Sequence, residues 1–183
     1  PHYLIQSFDI QGATLIDRKE LLALIQNNIG QSLSAAQLQA LGQPIRDHYR
    51  EQGWLVRLYF PDQDLSSGII RIEIIESRYS GSELESEDSR ADKELVRNFA
   101  LGDLVEGEAL NIKRVESGIL KANELPGIET NAVLVPGAKT GETKIRLKVS
   151  DQALLSGNLN YANQGIRATG SNQYQGNFYL NDP

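Results

Sequence analysis

The pattern of apolar and polar positions predicts a short strand and then a helix at the start of the chain. Residues Tyr3 to Ile10 alternate with a period of two and stop at Gly12, as a short strand does. The positions predicted to share one face of that strand are Leu4, Gln6, Phe8 and Ile10. Asp17 and Glu20 then have the spacing of a capping box, which indicates a helix start. The apolar stripe of this helix ends at Gly30 and consists of Leu21, Leu22, Ile25 and Ile29.

A second helix and two strands complete this predicted unit. Ser34 and Gln37 repeat the capping-box spacing, and Gly53 is placed to end the helix at its C′ position. The apolar stripe of the second helix consists of Leu38, Leu41, Ile45 and Tyr49. Two alternating runs rich in β-branched and aromatic residues follow, Trp54 to Phe60 and Ile69 to Ile75. The predicted order is therefore strand, helix, helix, strand, strand.

The same pattern recurs about 74 residues later in the chain. Lys19 to Leu21 recurs as Lys93 to Leu95, and Ile70 to Ile74 recurs as Ile145 to Val149. The second set of elements is predicted at Ser77 to Ser82, Ala91 to Leu101, Leu110 to Asn123, Ile128 to Val135 and Thr143 to Val149. A repeat of this kind indicates tandem copies of one folding unit. We predict two modules, 1–77 and 78–151, followed by a different region, 152–183.

An acidic, serine-rich stretch lies between the two predicted modules. Its acidic residues are Glu83, Glu85, Glu87, Asp88 and Asp92. A solvated linker or loop is the interpretation that composition favours. A calcium site is the alternative, but the ligand spacing and central glycine of an EF-hand loop are missing.

Composition and motifs argue against several classes of function. The net charge of −6 and the pI near 5.0 argue against nucleic-acid binding, which requires a basic face. The chain has no cysteine and contains no apolar run long enough for a membrane helix. Of its two histidines, His2 is near the terminus and His48 has no metal-binding partner four residues on. Catalytic and phosphate-binding motifs are absent, so we predict neither enzyme activity, nor a metal, nor a cofactor.

The last 30 residues have a different pattern from the two modules. Apolar positions alternate with uncharged polar ones over Leu155 to Ala162 and again over Gln175 to Leu180. A turn rich in Gly, Asn and Ser separates the two runs. This pattern is typical of strands from an outer-membrane barrel, but an exposed hairpin of a soluble sheet has the same one. Taken alone, the tail leaves both interpretations open.

Taken together, these features resemble the polypeptide-transport-associated (POTRA) domains that precede the barrel of outer-membrane transporters. The similarity is greatest to the two-partner secretion transporters, or TpsB family, which export haemolysins and filamentous haemagglutinins. Three segments of the first module carry it: Phe8 to Gly12, Tyr49 to Val56 and Gly68 to Ile72. The tail residues that match a first barrel hairpin are Asn163 to Gly165, Thr169, Gly170, Tyr174 and Leu180 to Pro183.

The resemblance implies an α+β fold and a function. The expected fold is two tandem POTRA modules of β-α-α-β-β order, each a three-stranded sheet covered by two helices, followed by the first two strands of an incomplete barrel. The implied function is that of a periplasmic substrate-recognition region. It would bind the secretion domain of an unfolded or partly folded TpsA-type exoprotein by β-augmentation and deliver it to the barrel pore. The implied location is the bacterial outer membrane, to which the barrel would attach these periplasmic modules.

Two other functions are held beside this one. A barrel-assembly insertase of the same superfamily carries POTRA modules as well. A scaffolding module that binds one fixed partner would instead make the tail hairpin an ordinary sheet element. Continuation of the sequence into many further hairpins would favour a transporter over a scaffold.

The resemblance also implies where a client protein binds. In POTRA modules the second strand is an open sheet edge, and the groove between it and the second helix receives the client. On this chain, that strand is Trp54 to Phe60 and the helix ends at Gln52. The candidate client-binding residues are Trp54, Leu55, Arg57 and Tyr59. A proline at Arg57 is expected to weaken binding by removing a backbone donor from the edge.

Alternation assigns the residues of this strand to two faces. Trp54, Val56, Leu58 and Phe60 share one face, which we expect to be core, and Leu55, Arg57 and Tyr59 share the other. In the second module, a basic strip alternates outward from Ile145, Leu147 and Val149; it consists of Lys144, Arg146 and Lys148. A possible role of this strip is to steer an acidic client or to lie near lipid head groups, and the alternative is an ordinary solvated strand face.

Overall fold

The structure of the chain is a computed structural model that describes residues 2–86, 89–153, 155–162 and 173–180. By its internal contacts the chain divides into two compact units. The first unit comprises 1–83, 103–116 and 134–146, and the second comprises 84–102, 117–133 and 147–183. The first unit therefore extends beyond the predicted first module and includes segments assigned to the second. The domain boundaries drawn from the repeat remain a prediction.

The first predicted strand is in fact two strands that belong to different sheets. Strand β1 (His2–Leu4) pairs with β3 (Ser32–Ser34), whereas β2 (Ser7–Gln11) pairs with β5 (Ile69–Glu76). The chain changes sheets at Ile5, whose amide donates to Gln31 O at 2.9 Å. The predicted common face is wrong in its first half, since Leu4 is 55% exposed while Ile5 is 1% exposed.

N-capping residues and a proline determine where the helices of the first module begin and break. Asp17 accepts a hydrogen bond from Lys19 N and begins α1 (Arg18–Ile25), but Glu20 binds His48 rather than closing a capping box. The capping box predicted at Ser34 is present and begins α2 (Ala35–Ala40). The predicted second helix breaks there, and α3 (Gly42–Glu51) follows. Pro44 explains the break, because a proline has no amide to donate to the carbonyl four residues earlier.

The sheet of the first module has the order β2-β5-β4, with β4 spanning Val56–Tyr59. Strand β5 is central, parallel to β2 and antiparallel to β4. Its alternate residues Ile70, Ile72 and Ile74 are buried. They pack with the helical stripes, whose buried residues include Leu21, Ile25, Leu38, Leu41, Ile45 and Tyr49. The predicted stripe of the second helix is thus confirmed, whereas Ile29 of the first stripe is 49% exposed.

The second module repeats this order of elements. Its strands are β6 (Arg78–Ser86), β7 (Ile128–Pro136) and β8 (Glu142–Asp151), in the sheet order β6-β8-β7. Its helices are α4 (Lys93–Leu101), which Asp92 caps, and α5 (Ile112–Ala122). The helices pack closely at Gly118, where a Cβ would lie 1.8 Å from Ala100 O. As predicted, Ile145, Leu147 and Val149 face inward and are buried.

The acidic stretch is only partly a linker. Glu83 and Glu85 lie within β6, so the interpretation of this part as a loop is wrong. The sequence pattern failed here because β6 is longer than the predicted strand at Ser77 to Ser82. Glu87 and Asp88 lie outside the described residues.

The tail contains an antiparallel pair of strands. Strand β9 (Leu155–Ala162) pairs with β10 (Gln173–Leu180), in a register that runs from Leu155 opposite Leu180 to Ala162 opposite Gln173. The predicted turn residues between 163 and 172 and the last three residues lie outside the described part of the chain. Whether this hairpin is part of a barrel remains a prediction. None of the helices described here combines the length and apolar character that crossing a membrane requires.

Candidate protein-binding edge of the first sheet

Strand β4 forms one edge of the first sheet, as the resemblance implies. Its neighbour on one side is β5, in a register that places Val56 opposite Glu76 and Arg57 opposite Ile75. Among the described residues, its other side has no neighbouring strand over Val56–Tyr59. We call these four residues the open stretch. An open edge presents unpaired N–H and C=O groups that can bind another chain.

The hydrogen-bond parity shows which backbone groups point outward. Ser77 N donates to Leu55 O at 2.9 Å, so Leu55 faces β5 at this point. Because antiparallel pairing alternates, Arg57 and Tyr59 also direct their backbone groups toward β5. The outward donors and acceptors of the open stretch are therefore those of Val56 and Leu58. This corrects the expectation that a proline at Arg57 would remove an edge donor.

The beginning of the predicted binding strip is occupied by the chain itself. Trp54 forms a bridge with Asn111, and Leu55 N donates to Leu110 O at 3.4 Å. All of these residues belong to the first unit. Leu55 uses both of its backbone groups on the β5 side, and Trp54 N donates to Tyr49 O at 2.9 Å, so neither residue offers a free amide at the outward edge. The usable edge is shorter than the predicted strip Trp54 to Phe60.

The two faces of β4 agree with the alternation of the sequence. The side chains that pack partly buried against the core are Trp54, Val56, Leu58 and Phe60. Arg57 and Tyr59 are exposed, and Tyr59 Oη donates to Glu73. Packing against α3 is tight, because a Cβ at Gly42 would lie 2.6 Å from Leu58 Cδ2. The backbone of the open stretch is therefore held on a rigid surface.

A groove lies on the helix side of β4. It has a volume of about 360 Å³ and lies between α3, the start of β4 and the first turn of α5. Its charged lining residues are Arg46, Arg50, Lys113 and Glu116, and its apolar ones are Trp54, Leu55, Val56 and Ile112. We call it the helix-side groove. Lys113 Nζ donates to Glu51 O at 2.6 Å, and Ile112 N donates to Gly53 O at 2.7 Å, which joins α5 to the end of α3.

A second groove lies on the opposite face of the same edge. It has a volume of about 410 Å³ and is lined by Leu55, Arg57 and Ile75 on one side and by the end of β7 and its turn on the other. We call it the outer groove. Its apolar wall includes Leu134, which is 40% exposed. Gly141 closes the turn with φ +85°, and a Cβ there would lie 2.8 Å from Ile75 Cγ2.

Glu76 fixes the strand that supports the open stretch. Its carboxylate accepts hydrogen bonds from Thr14 N at 2.8 Å, Leu15 N at 2.9 Å and Tyr49 Oη at 2.9 Å. Burial raises the pKa of Glu76, but these hydrogen bonds, with one from the Thr14 hydroxyl, outweigh it and hold the pKa below its ordinary value. Burial and Glu76 together raise the pKa of Tyr49. The network ties β5, α3 and the loop after β2 together.

At the other edge of the sheet, β2, a charged side chain bonds one backbone carbonyl. Arg18 Nε donates to Ile10 O at 2.8 Å, and its guanidinium lies 3.3 Å from Asp9. Asp9 also contacts Arg71 of β5 at 3.5 Å. Charged side chains placed at an edge discourage the addition of another strand.

The basic strip predicted in the second module has acidic partners on β6. Glu83 contacts Lys144 at 3.7 Å and Arg146 at 3.2 Å, and Glu85 contacts Lys148 at 3.6 Å. The sequence predicted the outward direction of the strip but not its partners, because the glutamates were interpreted as linker residues. A role of Lys144, Arg146 and Lys148 in client contact remains a prediction.

No group of side chains in the described ranges has the composition of a metal site. His48 Nε2 lies 2.6 Å from Glu20 and joins α3 to α1, and His2 begins β1. Sequence reasoning missed Glu76 and the contacts of Asn111 and Lys113. Asn111 did carry a signal, since an Asn immediately before a helix is a common cap, and Lys113 N donates to its Oδ1 at 3.0 Å.

Comparisons with known proteins agree with this architecture. Residues 3–77 match the family model described as "POTRA domain, ShlB-type". The chain is 26% identical over 184 aligned residues to the outer membrane transporter CdiB of Escherichia coli, covering 100% of this chain and 31% of that protein. It is 24% identical over 171 residues to the heme/hemopexin transporter protein HuxB of Haemophilus influenzae, covering 89% of this chain and 30% of that protein.

Solved structures show the same fold. The structure of CdiB from Escherichia coli matches with a TM-score of 0.73 at 25% identity, over 100% of this chain and 34% of that chain. POTRA domains 1–3 of Omp85 from Anabaena match with a TM-score of 0.65 at 13% identity, over 84% of this chain and 68% of that one. The second likeness shows the fold alone.

These findings define a class of proteins, the outer-membrane transporters that carry POTRA domains. Residues 3–77 match the ShlB-type POTRA family model, and the chain is similar over its whole length to the outer membrane transporter CdiB. The α+β fold and the resemblance noted from sequence are thereby confirmed, as is a location at the outer membrane. The chain spans about a third of the length of the curated relatives that it matches. The relatives are transporters rather than a class of enzymes.

Proposed function

We propose that this chain is the substrate-recognition region of a two-partner secretion transporter. It binds the secretion domain of an unfolded or partly folded TpsA-type exoprotein by β-augmentation and delivers it to the barrel pore. The client strand adds to β4, and its main chain pairs with the outward groups of Val56 and Leu58. Main-chain pairing supplies affinity with modest sequence specificity, which suits a receptor for an extended polypeptide.

The open stretch is the observation that carries this proposal. Arg18 bonds one carbonyl of the β2 edge, Ile10 O, whereas among the described residues no side chain or strand bonds the outward backbone groups of Val56–Tyr59. Grooves on both faces of β4 leave room for the side chains of an added strand. Proteins rarely leave a rigid edge unprotected, because it invites aggregation, so an open edge indicates a binding role.

This proposal gives the client-binding residues predicted from sequence different roles and adds Val56 and Leu58 to them. Val56 and Leu58 supply the backbone groups, and Arg57 and Tyr59 contact client side chains. Trp54 and Leu55 form walls of the grooves at the beginning of the edge. The strip Lys144, Arg146 and Lys148 is not part of the proposed site, because Glu83 and Glu85 contact its charges.

A titration tests the proposal. The secretion domain of the cognate exoprotein is titrated into this chain, and binding is followed by calorimetry. We expect saturable binding with a stoichiometry of one, and its absence would overturn the proposal. Hydrogen exchange of the complex then locates the site, since slowed exchange at Val56 and Leu58 is the result that strand addition to β4 requires.

A barrel-assembly insertase remains the second candidate considered from sequence. The Omp85 likeness concerns the fold alone at 13% identity, whereas relatives that align with the whole of this chain at 22–26% identity are CdiB transporters. This difference favours a dedicated secretion transporter. Titration with several unrelated outer-membrane proteins separates the two, because an insertase is expected to bind them all and a secretion transporter only its exoprotein.

A further inference from the structure

We propose that the open stretch selects a client strand in which acidic and apolar residues alternate, with the acidic residues facing the helix-side groove and the apolar residues facing the outer groove. This inference rests on the proposed function, because it requires a strand to add to β4. It adds the sequence pattern that the site prefers.

Strand geometry supplies the first step. Successive side chains of a strand point to opposite faces of the sheet. A strand added to β4 therefore directs one set of side chains toward α3 and the other set toward the face that carries Arg57 and Ile75. The helix-side groove lies on the first of these faces and the outer groove on the second.

The helix-side groove is cationic in a chain whose net charge is −6. Three cations and one carboxylate line it: Arg46, Arg50, Lys113 and Glu116. Arg50 has a side chain that is 73% exposed and lies 3.1 Å from Asp47. Among the described residues, the only partner shown for the Arg46 guanidinium is the neutral Gln43, at 3.1 Å. An acidic client side chain is the complement of such a surface.

The outer groove is mainly apolar. Its apolar lining residues are Leu55, Ile75, Leu134, Val135 and Pro136, and its charged ones are Arg57, Lys139 and Glu142, whose carboxylate accepts from the backbone N of Lys139 at 3.0 Å. An apolar client side chain placed here covers surface that is otherwise exposed to water. The two grooves therefore differ in the side chains that they favour at alternate positions of the same strand, because the helix-side groove has three cations and the outer groove has the longer apolar wall.

The absence of cysteine allows a direct test of register. The Arg57→Cys variant places one thiol on the outer face, opposite a position of the added strand where cross-strand Cβ atoms lie close together. Two synthetic peptides of equal composition carry a central cysteine. The first has Glu at the two adjacent positions and Val at the next two, and the second exchanges these residues.

Each peptide is equilibrated with the Arg57→Cys variant in a thiol redox buffer, and the fraction in mixed disulfide is measured by mass spectrometry. We expect the first peptide to be favoured by about tenfold at low salt. At 1 M NaCl the preference should fall to about threefold, because the screening length shortens to about 3 Å and only the apolar part remains. Adding Arg46→Ala to the variant should lower the low-salt preference as well.

The Ala23→Cys variant is the matched control, since Ala23 is an exposed residue of α1. Both peptides should react equally there. If neither peptide reacts with Arg57→Cys more than with Ala23→Cys, the edge accepts no strand, which counts against the proposed function itself. If both react preferentially at Arg57→Cys but to the same extent, or the second peptide is favoured, only the alternating preference is overturned.

Discussion

The two edges of the first sheet share one central strand but differ in how they meet solvent. Arg18 lies across β2 and bonds the carbonyl of Ile10, whereas the outward groups of Val56 and Leu58 on β4 have no strand partner among the described residues. The difference does not lie in hydrophobicity, because both strands place apolar residues against the core. It lies in one long cationic side chain that the first helix turn supplies to β2. Arg18 thus protects one carbonyl of β2, and among the described residues no side chain bonds the outward backbone groups of β4.

The open edge is supported both by the central strand and by the residues that precede it. Glu76 lies opposite Val56 and holds the end of β5 through the loop after β2 and α3. Beyond the open stretch, Trp54 and Leu55 are held by Asn111 and Leu110. The open edge is therefore held both by β5 and by Leu110 and Asn111. This preorganises it for binding and lowers the entropic cost of strand addition.

The largest effect is expected from removing the support of the open edge. Glu76→Ala leaves the amides of Thr14 and Leu15 and the hydroxyl of Tyr49 without their acceptor, so we expect a loss of about 3 kcal/mol in the free energy of unfolding. Urea denaturation measures it. Glu73→Ala on the same strand is the matched control and should cost less than about 1 kcal/mol, since its partner Tyr59 is exposed. Equal losses would show that Glu76 has no special role.

Adjacent prolines on β4 should separate binding from stability. Val56→Pro removes an outward amide, so we expect client binding to weaken by about tenfold or more while the fold persists. Arg57→Pro removes an amide that faces β5 and should instead lower the free energy of unfolding by about 1–2 kcal/mol. Calorimetry and urea denaturation measure the two quantities, and Val56→Thr is the control that keeps the amide. If Arg57→Pro stays folded and weakens client binding more than Val56→Pro does, the amide of Arg57 rather than that of Val56 points outward, which would contradict this assignment of the two amides.

Opening the protected edge tests the role of Arg18. Arg18→Ala frees the carbonyl of Ile10 and removes an exposed ion pair, which costs at most about 1 kcal/mol of stability. We expect the variant to self-associate at concentrations where the wild type does not, as measured by analytical ultracentrifugation. Lys19→Ala, a change to the neighbouring exposed cation, is the control. A monomeric Arg18→Ala variant would mean that β2 is closed by something other than this side chain.

The smallest effect is the acid sensitivity that Glu76 contributes. Its pKa is below the ordinary value in the folded state, so its stabilisation is complete above the unfolded pKa near 4.5 and is lost as pH falls through the folded pKa. The stability of the wild type should therefore decline more steeply below pH 4.5 than that of Glu76→Gln. Urea midpoints measured between pH 7 and pH 3 test this. Parallel curves for the two proteins would assign the acid response to other carboxylates. Asp151 is one candidate, because its hydrogen bonds with Ser89 and Arg90 also lower its pKa.

Much of the architecture could be predicted from periodicity and caps. Ser34 and Gln37 form the capping box that their spacing indicates, and the alternation of Ile145, Leu147 and Val149 gives the buried face of β8. The first strand was predicted less well. A single alternating run over Tyr3 to Ile10 does not reveal that the chain leaves one sheet for another at Ile5, because both strands use similar residues.

The candidate site was predicted in position but not in detail. The resemblance placed it on Trp54 to Phe60, and β4 is indeed an edge. The occupied beginning of that strip depends on Leu110 and Asn111, which lie more than fifty residues later in the sequence. Glu83 likewise appeared to be a linker residue until its pairing with Lys144 and Arg146 was known. Such long-range partners leave no periodic signal.

The sequence by itself determined which side of each helix and strand is buried, because that choice is recorded every two or every three to four residues. Only the tertiary structure decided which strand neighbours which, and therefore which backbone groups of β4 remain available. Hydrogen-bond parity is a property of a pair of strands, so a single strand cannot encode it. The distinction between the protected edge and the open one arises at the same level, from the side chain that another element brings to the edge.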